Sequence, residues 1–494
     1  MVNRRAIPLL SKTRFNAGLQ CQKRLFLECY SPELADPVDP SQRAIFDTGT
    51  AVGVLAQQRF PGGRLISEPP YRHAAAVAAT QEAVEDRSVR AIYEGAFIFD
   101  DIRIRVDILN RNTGGAFDLV EVKSSTSVKK EHIPDVAIQL YVLEGCGIPI
   151  RSAFLLHIDN SYVYQGGHYD LDQLYQAEDV TAEAHESVLS SVPAALAGMR
   201  RVLQRQTAPD IEIGRHCAVP YRCAFHGYCR QGAPEHHIEQ LPWAGSTLLS
   251  TLVRAGIRDI RDIPPEFPGL SATQQRVREA VVTGQPWRSP EVAAVLGSVS
   301  YPVHFLDFET FNPALPIYPG TRPYQVIPFE WSLHVRDSAA NLRHHVFLHD
   351  AGGDPRKPFS VSLLNSIEPE GTVVVYSSYE RSILTQLAVA LPHFSHRLLA
   401  LSDRTLDLLQ VLRAHYYHPR FHGSYSMKVV LPVLDPELGY DDLEIQDGTQ
   451  ASVAFARIIA PDTPCQEKER LRKALVAYCG RDTEATMRVF DALG

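Results

Sequence analysis

Two carboxylates and a lysine within residues 94–123 have types and spacing that could bind a divalent metal ion. Asp107 lies on one β-rich run, and Glu121 and Lys123 lie two apart on the next, with the turn residues 112–115 between the runs. Side chains at i and i+2 leave a strand on the same face, so an in-register hairpin would bring Asp107 opposite the other two. Carboxylates this close repel one another unless a cation such as Mg²⁺ or Mn²⁺ joins them. That metal would activate water, and the lysine would position it, for hydrolysis of a phosphodiester.

The C-terminal part of the chain carries a second acidic set. Asp307 and Glu309 lie at i and i+2 on a predicted buried strand, VHFLDFET, so both leave the same face. Tyr478 and Asp482 lie at i and i+4 on a predicted amphipathic helix, so they stack on one side of it. Acidic groups on a first strand and a last helix, joined by a mixed α/β sheet, fit an RNase H-like fold.

Closely spaced cysteines form a third candidate site. The three with C-x5-C-x5-C spacing are Cys217, Cys223 and Cys229. In a chain that we expect to be cytoplasmic, they indicate metal binding rather than disulfides. Three thiolates need a fourth ligand: zinc could use His216 or His226, whereas an iron–sulfur cluster needs a thiolate, for which Cys21 is the candidate.

Length and composition indicate a multi-domain α/β globular protein. A chain of 494 residues is too long for one core and predicts two or three domains. It contains no run of 18 apolar residues, and its start lacks the apolar core of a secretory signal, so we expect a cytoplasmic protein with no membrane partner. The formal net charge of −8 does not indicate a nucleic-acid binder. It does not exclude one either, since binding needs only a local basic groove.

Predicted secondary structure places the first acidic set on a sheet flanked by helices. The pattern predicts helical character over 15–30 and helices over 41–60 and 73–86. It then predicts three strands over 92–123, a helix over 131–147, a strand over 150–159 and a long helical stretch over 178–206. In the C-terminal part, strands alternate with helices. A predicted helix after TVVVYS carries Glu380, and a following one carries Asp407.

Residues 1–232 resemble the RecB-type nucleases that carry an iron–sulfur staple, such as the CRISPR adaptation nucleases and the AddB helicase–nucleases. The D-x13-E-x-K spacing is similar to the PD-(D/E)xK signature, and the order of helix, three strands, helix and strand is the core order of that fold. The resemblance implies a [4Fe–4S] cluster, with zinc as the alternative. Its implied ligands are Cys21, Cys217, Cys223 and Cys229.

The N-terminal domain departs from this pattern at three places. The first gap of the cysteine tail is wider than the usual C-x2-C, and Gly53 stands where these nucleases have a metal-binding histidine. Glu94 could replace that histidine. The Q-x3-Y motif appears as Gln139-Leu140-Tyr141, with the tyrosine shifted.

Residues 301–494 resemble the DnaQ-type (DEDD) 3′–5′ exonucleases, which have an RNase H-like fold. Their D-x-E and Y-x3-D motifs match the two C-terminal pairs named above. The resemblance implies that the acidic groups hold two metal ions roughly 3.5–4 Å apart, which clamp the attacking water and the leaving oxygen. It also implies that Tyr478 orients that water. Their second motif, N-x3-D, is replaced by Tyr376 and Glu380, and Asp407 is the alternative acid. Residues 233–300 resemble a small helix–hairpin–helix-like module, with a plain helical linker as the alternative.

The order of the parts is similar to that of a bacterial family that fuses a RecB-like and a DnaQ-like nuclease. The sequence therefore predicts a metal-dependent deoxyribonuclease with two centres, acting as an exonuclease on single-stranded or frayed DNA. The metal ligands would be Asp107 and Glu121 in one centre and Asp307, Glu309 and Asp482 in the other. The alternatives are an RNA exonuclease and a non-catalytic nucleic-acid-binding scaffold with degenerate sites, which Gly53 and Glu380 favour.

Overall fold

The protein is a mixed α/β protein of two compact units. The computed structural model describes residues 7–494. The first unit comprises Met1–Gly232 and Pro313–Tyr324, and the second comprises Ala233–Asn312 and Gln325–Gly494. Among residues 7–494, no helix combines the length and the apolar character needed to cross a membrane.

The first unit is built around a mixed sheet with the strand order β2-β3-β4-β5-β6-β7, to which β1 adds by pairing with β4. Its strands are β1 (Leu10–Ser11), β2 (Gly63–Leu65), β3 (Ala91–Phe99), β4 (Ile102–Arg111), β5 (Phe117–Lys123), β6 (Ile150–Ile158) and β7 (Tyr175–Asp179). Its helices are α1 (Lys12–Gln20), α2 (Gln22–Tyr30), α3 (Pro40–Gln57), α4 (His73–Glu85), α5 (Ile133–Gly145), α6 (Leu171–Leu174), α7 (Thr181–Ser190), α8 (Val192–Leu203) and α9 (His226–Arg230).

Turn residues and alternating apolar side chains form the centre of this sheet. Strands β3, β4 and β5 are antiparallel. Strand β5 pairs in parallel with β6, and the chain connects the two through the helix α5. The β4–β5 turn needs Gly115, whose φ of +84° favours glycine, and Asn112 accepts a hydrogen bond from the Gly114 N–H. Alternate residues of β4, such as Ile104 and Val106, are buried in the core beneath α5. Residues 92–159 contain the expected succession of three strands, a helix and a fourth strand.

Two stretches predicted as continuous helix are interrupted. The expected helix over 178–206 is wrong in its first residues, because Glu178 lies in β7, and it divides into α7 and α8. The division falls at Ser191, where Pro193 in the first turn of α8 cannot continue the hydrogen-bond ladder of α7. The N-terminal helical run likewise breaks at Cys21, whose extended backbone ends α1 and begins α2.

The second unit contains a sheet with the order β11-β10-β9-β12-β13 and a small β14-β8 pair. Its strands are β8 (Trp287–Arg288), β9 (Val303–Phe311), β10 (Ile327–Arg336), β11 (Leu342–Leu348), β12 (Val373–Val375), β13 (Thr405–Asp407) and β14 (Tyr416–Tyr417). Its helices are α10 (Ser246–Arg254), α11 (Ala272–Thr283), α12 (Val292–Gly297), α13 (Arg356–Ser366), α14 (Tyr379–Ala390), α15 (Ser395–Asp403), α16 (Leu408–His415), α17 (Met427–Leu434), α18 (Gly448–Ile459) and α19 (Cys465–Leu493).

Strand β9 is the middle strand of this sheet. It pairs antiparallel with β10 and parallel with β12, and its apolar residues pack against α19 through contacts such as Phe305 with Phe490. Residues 233–300, expected to form a separate linker module, lie within the second unit. Leu252, Ile260 and Val277 share one hydrophobic core with the strands and with α19, which accounts for their inclusion.

Candidate metal-binding sites

In the second unit, three elements bring acidic side chains to one cavity of about 690 Å³. Strand β9 contributes Asp307 and Glu309, which leave the same face as their i, i+2 spacing predicts. Helix α14 follows β12 after a three-residue connection and carries Glu380 in its first turn. Helix α19 contributes Tyr478 and Asp482 from one side, as their i, i+4 spacing predicts. These five residues are hereafter called the second-unit site.

The acidic groups of the second-unit site raise one another's pKa. Burial, followed by the charges of Asp482 and Glu380, raises the pKa of Asp307 well above its ordinary value. Burial, together with the charges of Asp407 and Asp482, raises the pKa of Glu380 to about 8. Among residues 7–494, the Oε2 atom of Glu380 has no hydrogen-bond partner. Buried carboxylates in this state would be stabilised by a divalent cation.

Tyrosine hydroxyls hold the Asp482 carboxylate. The hydroxyl of Tyr440 donates to Oδ1 of Asp482 at 2.5 Å. Burial raises the pKa of Asp482 to about 6, while hydrogen bonds from Tyr440 and Tyr478 act in the opposite direction. Tyr440 was not identified from the sequence, because it lies in a loop whose position relative to α19 is set only by packing.

Asp407 has a different position from the one predicted. It is the last residue of β13 rather than a residue of the following helix. Its carboxylate caps α16 by accepting hydrogen bonds from the N–H and the side chain of Gln410. Asp407 is not among the residues that line the cavity, whereas Glu380 is. The structure therefore favours Glu380 over Asp407 as the acidic group that joins Asp307, Glu309 and Asp482 at the cavity.

Two further groups at the second-unit site were missed from the sequence. The thiol of Cys479 lies 3.7 Å from Oδ2 of Asp307, and Asp307, Glu309 and Cys479 present ligand atoms within 4.8 Å of one another. Glu330 lies opposite Glu309 on β10 and is fully buried, and burial raises its pKa well above the ordinary value. Cys479 could have been suspected from its place between Tyr478 and Asp482. Glu330 has no comparable sequence signal.

In the first unit, Asp107, Glu121 and Lys123 come together at the edge where β4 and β5 cease to pair. The last paired residues of this ladder on that side are Ile108 and Val120. Oδ2 of Asp107 accepts a hydrogen bond of 2.8 Å from the Val122 N–H, and Nζ of Lys123 lies 2.9 Å from Oε1 of Glu121. These three residues are hereafter called the first-unit site.

Residues from two helices complete the first-unit site. Nζ of Lys12, at the start of α1, lies 2.7 Å from Oε1 of Glu121. The side chain of Gln139 on α5 donates to Oε2 of Glu121 at 2.8 Å, and Asp135 forms an ion pair with Lys123. Gln139 had a signal in the sequence, the incomplete Q-x3-Y motif. Lys12 and Asp135 had none, since their role depends on how α1 and α5 pack on the sheet.

The pKa values of the two carboxyl groups of the first-unit site are shifted in opposite directions. Burial, followed by the Glu121 charge, raises the pKa of Asp107 to about 7 against the opposing effect of Lys12. Burial also acts to raise the pKa of Glu121, but the ammonium groups of Lys12 and Lys123 lower it overall. Glu94 is half-buried and interacts electrostatically with Lys12 and Glu121, so it lies at the same site. A side chain in place of Gly53 would meet open space.

All four candidate cysteines line one small cavity. Cys21 contributes from the break between α1 and α2, Cys217 ends a short 3₁₀ turn, and Cys229 lies in α9. Burial raises the pKa of the Cys223 and Cys229 thiols, and both interact electrostatically with Cys21. His216 and His226 line the same cavity.

The donor set of this cavity fits a metal group. Four thiols could hold a [4Fe–4S] cluster, and thiols together with an imidazole could hold zinc, so the residues present suit both alternatives.

Fold and sites together define a two-unit α/β protein with a buried acidic cluster in each unit. Residues 304–426 match a family model described as "Domain of unknown function (DUF2779)". No curated protein matches the chain. A solved structure described as "Crystal structure of SSO0001" is similar over 37% of this chain and 77% of its own, with 13% identity and a TM-score of 0.18, which is too low to support an argument.

Proposed function

We propose that the protein is a metal-dependent deoxyribonuclease with two hydrolytic centres, acting as an exonuclease on single-stranded or frayed DNA. The observation that carries this proposal is the cluster of Asp307, Glu309, Glu380 and Asp482 around one cavity. Acidic groups that raise one another's pKa in a partly buried cavity attract divalent cations. A cation-filled cavity of this kind then attracts a phosphate backbone.

In the second-unit site, Asp307, Glu309 and Asp482 would hold Mg²⁺ or Mn²⁺, with Glu380 as a further ligand. The metal would neutralise charge on the phosphate and make water more acidic. The chain's own groups would do the rest. Tyr478 lines the cavity and would orient the attacking water, and Tyr440 fixes the carboxylate of Asp482. Lys428, at the cavity edge, could contact a neighbouring phosphate.

In the first-unit site, Asp107 and Glu121 would be the metal ligands. Gln139 fixes one oxygen of Glu121, and Lys123 remains beside the other to position water or the phosphate. Lys12 contacts the same oxygen of Glu121 as Lys123. We infer that Lys12 partly neutralises the site when it holds no metal.

We also propose that the chain belongs to the family that fuses a RecB-like and a DnaQ-like nuclease. Supporting this is the sheet order in each unit: antiparallel β3-β4-β5 joined through α5 to parallel β6, and antiparallel β11-β10-β9 followed by parallel β12 and β13. Cys21, Cys217, Cys223 and Cys229 would hold a [4Fe–4S] cluster that joins the two ends of the first domain by ligation. Such a cluster and its thiolates fit a cytoplasmic protein.

The test is cleavage of end-labelled single-stranded DNA in Mn²⁺ by anaerobically purified protein. Asp107→Ala and Asp307→Ala each remove one ligand from one centre. We expect each variant to lose a different part of the product pattern, and the double variant to be inactive. If the wild-type protein binds DNA but cuts nothing, the scaffold alternative is correct. If labelled RNA is degraded faster than DNA of the same sequence, the substrate is RNA.

A further inference from the structure

The segment between Cys217 and Cys223 forms a loop with a fixed base and an exposed tip. The Cys223 N–H donates to the Cys217 carbonyl oxygen at 2.8 Å, which closes the base. Both cysteines are buried, packed with Leu27 and Phe225. At the tip, by contrast, Tyr221 is 59% exposed. A large aromatic side chain is thus presented from a rigid support.

The loop is attached to α1, the helix that carries Lys12. The side-chain amide of Gln20 donates to the carbonyl oxygens of His216 at 2.7 Å and of Tyr221 at 2.6 Å. These bonds fix the backbone on both sides of the tip and leave the phenol ring unconstrained by them. The position of Tyr221 is therefore set by the same helix that supplies Lys12 to the first-unit site.

The tip lies on a cavity of about 550 Å³ whose lining includes residues that contact the first-unit site. Tyr221 lines it together with Lys12, Asn16 and Asp135. Lys12 and Asp135 are the residues that form ion pairs with Glu121 and Lys123. Lys123 and Asp135 also interact electrostatically with the Tyr221 phenol. The ring therefore lies on a cavity bordered by the residues that pair with Glu121 and Lys123.

The other lining groups fit a nucleic-acid strand. Lys12 and Arg24 are cationic and His216 is protonatable, while the acidic lining residues are Glu131 and Asp135, of which Asp135 is paired with Lys123. Leu19 and Val219 supply exposed apolar surface in the same lining. A strand with unpaired bases combines a negatively charged backbone with flat apolar faces, which is the chemistry that this combination recognises. In a duplex, the base faces are already stacked and cannot reach an aromatic side chain.

We propose that Tyr221 stacks on a base of single-stranded DNA and so seats the adjacent phosphate at the first-unit site. This inference deepens the proposed function and rests on it for the identity of the strand. Because every base has an aromatic face, stacking on Tyr221 would select for strandedness and not for sequence. A strand held this way would enter along α1, past Lys12, towards Glu121.

The test uses the full-length protein and a fluorescent single-stranded 20-mer in Ca²⁺, with anisotropy as the measure of binding. We expect Tyr221→Leu, which keeps apolar bulk, to weaken binding about tenfold, the fold-change that the loss of one stacked base produces. Tyr221→Phe should bind within about twofold of wild type because it retains the ring. Tyr71→Leu, at an exposed tyrosine of the first unit that does not line this cavity, is the matched control and should bind as wild type does.

A second readout excludes a purely structural effect. A 2-aminopurine base in the oligonucleotide should be quenched on binding to the wild type and to Tyr221→Phe, and should stay bright with Tyr221→Leu. Equal binding by Tyr221→Leu and wild type would overturn the inference, as would tighter binding of duplex than of single strand. If stacking depends on Tyr221 but no cleavage occurs in Mn²⁺, the inference stands and the proposed nuclease activity fails.

Discussion

Replacing Glu380 by glutamine should stabilise the second unit when metal is absent. Glu380 is 4% exposed, and its pKa is raised from 4.5 to about 8, first by burial and then by neighbouring carboxylates. Glutamine has the shape of the protonated acid but does not titrate. The variant therefore removes the free-energy penalty of keeping a carboxyl group protonated at neutral pH.

The magnitude follows from proton linkage. Between pH 4.5 and 8, the folded protein keeps a proton on Glu380 that the unfolded chain has released, so stability falls as pH rises. Each unit of pKa difference is worth about 1.4 kcal/mol, and pH 7 lies roughly 2.5 units above the ordinary value. Glu380→Gln should thus stabilise the metal-free second unit by about 3 kcal/mol at pH 7, and the gain should vanish near pH 4.5.

Tryptophan fluorescence makes this measurable in the full chain. The three tryptophans, Trp243, Trp287 and Trp331, all lie in the second unit, so urea unfolding followed by their emission reports on that unit alone. In EDTA at pH 7, the midpoint should rise by roughly 1 M urea. Glu437→Gln, which removes an exposed carboxylate of the same unit, is the control and should not shift it.

Metal should reverse the order of stability. Mn²⁺ stabilises the folded state according to its affinity, and Glu380→Gln lacks one ligand, so wild type should gain more than the variant. The reasoning is refuted if Glu380→Gln is no more stable than wild type in EDTA at pH 7. It is also refuted if the difference between them does not grow from pH 5 to pH 7.

Two further predictions concern the cysteine cavity and the second-unit site. Cys223→Ser should abolish the visible absorbance expected of an anaerobically purified iron–sulfur protein and lower the unfolding temperature of the first unit. Cys146→Ser, at an exposed cysteine, is the control and should change neither property. Retention of the colour in Cys223→Ser would contradict the assignment. In the Asp107→Ala background, Tyr478→Phe should lower kcat for DNA cleavage at least tenfold with little change in KM. The reason is the loss of the hydroxyl that would orient water and that hydrogen-bonds Asp482. An unchanged kcat would remove Tyr478 from the mechanism.

Short-range spacing predicted most of the elements and the residues that define each site, but not Lys12, Tyr440 and the other groups that complete them. The i, i+2 pairs on β5 and β9 and the i, i+4 pair on α19 were correct, because side-chain direction along a strand or helix depends only on local backbone geometry. The same reasoning placed residues 178–206 in one helix. It failed there because Glu178 pairs with Leu155 of β6, a partner remote in sequence.

What the sequence alone determined was the chemistry available: which carboxylates, lysines and thiols exist and which neighbours share a face. Only the tertiary structure decided that Lys12 and Gln139 contact Glu121, that Tyr440 holds Asp482, and that Glu380 rather than Asp407 lines the cavity. These contacts join residues up to 109 positions apart. They depend on how helices pack onto a sheet, which is set by the fit of the whole core and leaves no periodic signal in the chain.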